Sequence, residues 1–204
     1  MPETPRQWYD RVVRAIEDDG HRETDLPSWT SWPWTGELTV KALDEPVETE
    51  PDRRGVGGVD CHSCATGADP ATGGAVWWDE LFFVVPARSS SLPFAMFLMP
   101  RRHCDLATMT PEEARRQGEL LTALEQTATA TMSVPRIQVA RWGDGGEHLH
   151  WWVYARPTGM LQLRGTFLSH WDDLLPPRPL DDVAADARVW AADLVTRVGG
   201  TAAS

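Results

Sequence analysis

The chain has 204 residues, 42% of them hydrophobic and 24% charged, enough for one substantial core without disulfides. A formal net charge of −11 argues against a nucleic-acid groove, because polyanion affinity comes from clustered Lys and Arg, and so favours a small ligand or a protein partner. No apolar run has membrane-span length, the start lacks the basic-then-apolar order of a signal peptide, and three cysteines suit a reducing compartment; together these predict a cytoplasmic protein.

In chain order, Thr4-Pro5 opens an amphipathic helix with the apolar stripe Trp8, Val12, Val13 and Ile16, stopped at Gly20. It reads as an appended packing helix. Residues 21–75 turn to Pro, Gly, Thr and acid, with a weak strand near 38–40 and a Trp-rich segment, Trp29-Thr30-Ser31-Trp32-Pro33-Trp34. Strands are expected at 76–85, buried on both faces, and at 94–100. Thr110, Pro111 and Glu113 then form a capping box that opens a helix reaching about Met132.

Residues 136–142 and 147–156 read as a hairpin across Gly143-Asp144-Gly145-Gly146, and 160–167 as one more strand. A Pro-rich break precedes a last helix with the stripe Val183, Ala187, Trp190, Leu194 and Val198. The pattern predicts an α+β fold on a mainly antiparallel sheet, divided into an N-terminal extension (1–59), a central domain (60–177) and a C-terminal helix packed on it (178–204).

Two features carry chemistry. Within 147–156, His148, His150, Trp152 and Tyr154 fall on one strand face while Leu149, Trp151 and Val153 fill the other. Two imidazoles meeting one small volume point to a site. Cys61-His62-Ser63-Cys64, among Gly57, Gly58, Gly67 and Pro70, reads as a turn-borne pair of thiolates able to span a metal tetrahedron. A redox pair would need a helix immediately after it, and Ala65-Thr66-Gly67-Ala68-Asp69-Pro70 does not look like one; a loop with no metal is the remaining alternative. Zinc needs two further ligands, and of the six histidines, His103 and His148 are best placed. Cys104, next to His103, reads as a buried free thiol.

Together these residues resemble the histidine triad superfamily of nucleotide hydrolases and transferases. His148-Leu149-His150-Trp151-Trp152-Val153-Tyr154 is similar to its signature with the third His replaced, and Phe97-Leu98-Met99-Pro100-Arg101-Arg102-His103 is similar to the strand that ends there in proline, two basic residues and histidine. The resemblance spans 60–177. It implies a histidine triad fold and, by analogy with the zinc-containing galactose-1-phosphate uridylyltransferases, a zinc site of Cys61, Cys64, His103 and His148, the set reached above from chemistry. It also implies that His150 is the nucleophile of a phosphate-bond hydrolase or nucleotidyltransferase, and that the chain can dimerise.

The departures are informative. Trp152 can donate one indole N–H but cannot carry a proton or positive charge, so leaving-group protonation or phosphate stabilisation comes from elsewhere or is missing. Arg141, Arg156 and Arg164 are the candidates to bind phosphate, with Trp152 beside them as a substrate-binding residue; the alternative is that each arginine is an ordinary surface residue. The segment 86–92 lacks the acid that many nucleotide-binding members use for ribose. The partner expected is therefore a small phosphorylated molecule or nucleotide, with no nucleic-acid polymer and no membrane. The alternatives are a zinc-stabilised module that binds without turnover, or an enzyme for a non-nucleotide phosphate or phosphoramidate.

Overall fold

The computed structural model describes residues 3–20, 31–36 and 39–203. Six strands form one antiparallel sheet: β1 (Trp77–Trp78), β2 (Phe82–Pro86), β3 (Phe94–Pro100), β4 (Gln138–Ala140), β5 (Trp151–Ala155) and β6 (Thr201–Ala202), in the order β4-β5-β3-β2-β1-β6. Five α-helices accompany them: α1 (Pro5–Asp19), α2 (His62–Ala68), α3 (Pro111–Thr131), α4 (Leu168–Leu174) and α5 (Leu180–Val198). No described helix is long and apolar enough to cross a membrane.

Strand alternation sorts the sheet into two faces. Phe82 and Val84 of β2, Phe94, Met96 and Leu98 of β3, and Val153 of β5 face the main core, where they meet α3 through Leu120, Leu124 and Ala128 and α5 through Ala187, Trp190 and Leu194. Phe83, Ala95, Met99 and Tyr154 face the other way. That second face, not covered by α3 or α5, carries the site.

Helix α3 begins as its capping box requires: Thr110 Oγ1 accepts from the Glu113 amide at 3.1 Å, and Glu113 Oε2 accepts from the Thr110 amide at 2.7 Å. Helix α1 is likewise boxed by Thr4 and Gln7 and ends at Gly20. None of its residues is buried, and Trp8 stays 47% exposed, so it is not the packing helix expected. Of the weak strand near 38–40, residue 38 lies outside the described residues and 39–40 are irregular. Within the Trp-rich segment, Trp32 stacks edge-on against Phe167 at 4.7 Å, and Trp171 Nε1 donates to the Ser31 carbonyl at 2.8 Å. Trp29 lies outside the described residues.

Three expectations are corrected. The strand predicted at 76–85 is a hairpin, because Asp79 Oδ1 accepts from the Leu81 and Phe82 amides, both at 2.7 Å, and turns the chain between β1 and β2. The strand predicted at 160–167 is two short 3₁₀ turns leading into α4; Gly159 and Gly165 sit at φ 85° and 74°, which breaks an extended run. The CxxC turn is instead the start of α2, with Cys61 as N-cap, so residues 65–68 are helical and the lack of a following helix does not count against a redox pair. The weak propensity of α2 is overridden by docking: Thr66 and Gly67 are buried, and Arg101 Nε donates to the Gly67 carbonyl at 2.8 Å.

Candidate metal and phosphate site

Helix α2, the end of β3 and the approach to β5 converge at one point. The ligand atoms of Cys61, Cys64, His103 and His148 all lie within 4.8 Å of one another. Cys64 Sγ is 3.3 Å from His103 Nδ1 and 3.5 Å from His148 Nδ1, and Cys61 Sγ is 3.5 Å from His148 Nδ1. A tetrahedral zinc with sulfur and nitrogen ligands separates those ligands by roughly 3.5 Å, so the donor set and its spacing fit such an ion.

The outward nitrogens of both imidazoles are also spoken for. His103 Nε2 donates to Glu147 Oε2 at 2.9 Å, and His148 Nε2 donates to the Pro100 carbonyl at 2.8 Å. Each Nδ1 is thereby left with its lone pair towards the thiols, the arrangement that orients a metal-binding imidazole. Glu147 is itself fixed by the Gly57 amide at 2.7 Å. Burial holds the His148 imidazole below its ordinary pKa, whereas the Glu147 carboxylate raises that of His103. Burial pushes the Cys64 thiol up to about 11. Cys104 is buried and outside the cluster.

The expected face of the motif is kept, although β5 starts only at Trp151 and 147–150 are irregular. His148, His150 and Trp152 all line one cavity of about 590 Å³, floored by Val85, Phe97 and Met99 from the sheet. His150 Nδ1 donates to the His148 carbonyl at 2.9 Å, which in the neutral ring assigns the proton to Nδ1 and the lone pair to Nε2. Trp152 sits in an aromatic cluster, stacked on Tyr154 at 5.5 Å and edge-on to Phe97 at 4.2 Å and Trp142 at 5.9 Å.

None of the three arginines read from the sequence lines this cavity. Arg141 is ion-paired with Asp105, Arg156 donates to the Pro157 carbonyl, and Arg164, on a 3₁₀ turn rather than a strand, donates to the Leu161 carbonyl. Arg54 lines it instead, as does Asp60. Both belong to a segment whose Arg53-Arg54 pair, ahead of a glycine run, was a readable signal for an anion-binding loop. Residues 53–57 are bonded to the glycine loop and Glu147: Arg54 forms a bridge with Gly146, Arg53 Nη1 donates to the Gly143 carbonyl at 3.1 Å, and the Gly57 amide donates to Glu147.

No family model matches the sequence, and no curated protein matches it. Solved structures do. A zinc-bound histidine triad family protein from Mycobacterium smegmatis is 18% identical, covering 68% of this chain and 95% of that one, with a TM-score of 0.52. A hypothetical histidine triad nucleotide-binding protein from Sulfolobus tokodaii is 11% identical, over 68% of this chain and 97% of that one, with a TM-score of 0.52. The fold is that of the histidine triad proteins, as the motifs implied.

Proposed function

We propose that this protein binds a small phosphorylated molecule or nucleotide in the cavity beside a structural zinc and transfers its phosphoryl or nucleotidyl group through His150. The observation that carries this reading is the hydrogen bond from His150 Nδ1 to the His148 carbonyl, which selects the tautomer whose nucleophilic nitrogen is Nε2 in the ring that lines the cavity. Zinc held by Cys61, Cys64, His103 and His148 would be a closed site that adds folding energy and no open coordination position. Ligation at His148 then anchors the backbone carbonyl that orients His150 two residues away.

In the transfer, the Nε2 lone pair attacks phosphorus, a P–N bond forms and the P–O bond to the leaving group breaks. The leaving oxygen keeps the electron pair and takes a proton from solvent water. Water or an acceptor hydroxyl next attacks phosphorus, loses its proton, and returns the P–N electron pair to Nε2.

A second reading is a module that binds the same ligand without turnover. It is favoured by Trp152, which occupies the third position of the motif and can neither give a proton from a charged ring nor carry positive charge. Steady-state turnover of a panel of nucleotides, sugar phosphates and phosphoramidates separates the two. Catalysis predicts turnover that His150→Ala reduces by orders of magnitude with metal content unchanged. Saturable binding with no turnover of any member supports the module. In either case, the reducing setting that suits free thiols supports a cytoplasmic location.

A further inference from the structure

We propose that Arg54 is the phosphate-binding residue of this cavity, holding an anionic phosphoryl group beside His150 in place of the charge that Trp152 cannot supply. The inference rests on the cavity being the ligand site described above.

Among the described residues, Arg54 is the only arginine that lines the cavity. Its neighbours are committed elsewhere: Arg53 to Asp105 and Glu147, Arg141 to Asp105, and Arg102 to Glu113. No described acid pairs with Arg54. Its side chain makes one internal hydrogen bond, from Nε to the Gly145 carbonyl at 3.1 Å, which anchors the stem and leaves both terminal nitrogens of the guanidinium fork for an oxyanion.

Position follows from the backbone. The Arg54 amide donates to the Gly145 carbonyl at 3.2 Å, and the Glu147 amide donates to the Arg54 carbonyl at 3.0 Å. Arg54 therefore runs alongside Gly146, and a Cβ added to Gly146 would lie 3.7 Å from the His150 ring and 4.0 Å from the Arg54 carbonyl. One small residue separates the cation's backbone from the nucleophile's imidazole. The side chain that this backbone carries lines the same cavity as His150, and its guanidinium is permanently charged, so it can bind phosphate oxygens and stabilise charge that grows on them in transfer, without moving a proton.

The test uses the full chain loaded with zinc and titrated with inorganic phosphate, followed by calorimetry and by the NMR signals of the His150 ring. Wild type should bind saturably and shift those signals. Arg54→Met should weaken binding at least tenfold, Arg54→Lys should retain part of it, and Arg115→Met, on the exposed face of α3, should match wild type. The Arg54 backbone makes its two loop bonds without the side chain, and an unchanged metal content confirms that Arg54→Met keeps the site; if it does not, weakened binding in Arg54→Lys supports the assignment in its place. Arg54→Met binding like wild type would overturn the assignment, as would wild type that does not bind phosphate or binds it without moving the His150 signals. A covalent adduct on His150 whose formation is indifferent to Arg54 sinks this inference alone. Phosphate binding that depends on Arg54, with no adduct and no turnover, sinks the catalytic reading and leaves Arg54 as a binding residue.

Discussion

Gly67 sets how closely α2, and with it the two thiols, can approach the end of β3. A Cβ at this position would lie 2.7 Å from the Arg101 carbonyl oxygen and 3.0 Å from Arg101 Cα, both rigid backbone atoms. Gly67→Ala must therefore push α2 away from the strand that leads to His103. The expected cost is about 1–3 kcal/mol, read as a lower melting temperature together with weaker zinc retention in a chelator competition; unchanged values for both would show that the helix position is not set here. Trp152→His addresses the other unusual residue. A rise in turnover would mean that a proton carrier is missing from the third position, and a loss would mean that the indole, packed on Phe97, Trp142 and Tyr154, shapes the pocket. The four clustered residues were legible because thiols and imidazoles are few in this chain and their spacing is chemical. The Arg53-Arg54 pair ahead of a glycine run is a local signal too, but what brings Arg54 to the cavity is a bridge to Gly146, 92 positions on, which that local pattern does not announce.

At the scale of elements, α3 was readable to within a residue at either end, since Thr110, Pro111 and Glu113 are a local code for a helix start. The same carboxylate makes a second interaction: Arg102 bonds it through Nε at 2.9 Å and Nη2 at 2.7 Å. Arg102 and the capping amide hold Glu113 down to about 2 from an ordinary value of 4.5. A depressed carboxylate contributes stability above its unfolded pKa and loses it as pH falls towards the folded one. Glu113→Gln should thus melt below wild type at neutral pH by the equivalent of about 2 kcal/mol, with the difference narrowing between pH 4.5 and about 2; a difference independent of pH would refute the linkage. Elements written in tertiary terms were harder to read. The 160–167 segment has strand-like composition, but Gly165 within it and Gly159 just before it take positive φ. Strand β6 is only two residues long, and it forms where Gly200, whose Cβ would lie 2.7 Å from the Trp77 ring, lets the chain pass against β1.

Across the whole molecule, the metal cluster joins α2, the β3 end and the approach to β5, while α3 and α5 build the main core on the opposite face of the sheet. The core should therefore survive loss of the metal, with the site face loosened. Zinc-loaded protein should contain about one zinc per chain, and Cys64→Ser or chelation should lower the melting temperature by about 10 °C while helical circular dichroism at 25 °C is largely kept. Protein that is equally stable with and without metal would count against a structural site. The proposed role of such a site is to orient His150 for transfer, and the transfer itself is tested by intact-mass analysis of the zinc-loaded chain after rapid exposure to nucleotides and phosphoramidates. A phosphoryl or nucleotidyl increment that maps to the peptide carrying His150, and is absent from His150→Ala, is the predicted result; turnover with no such increment, or an adduct that persists in His150→Ala, would contradict it.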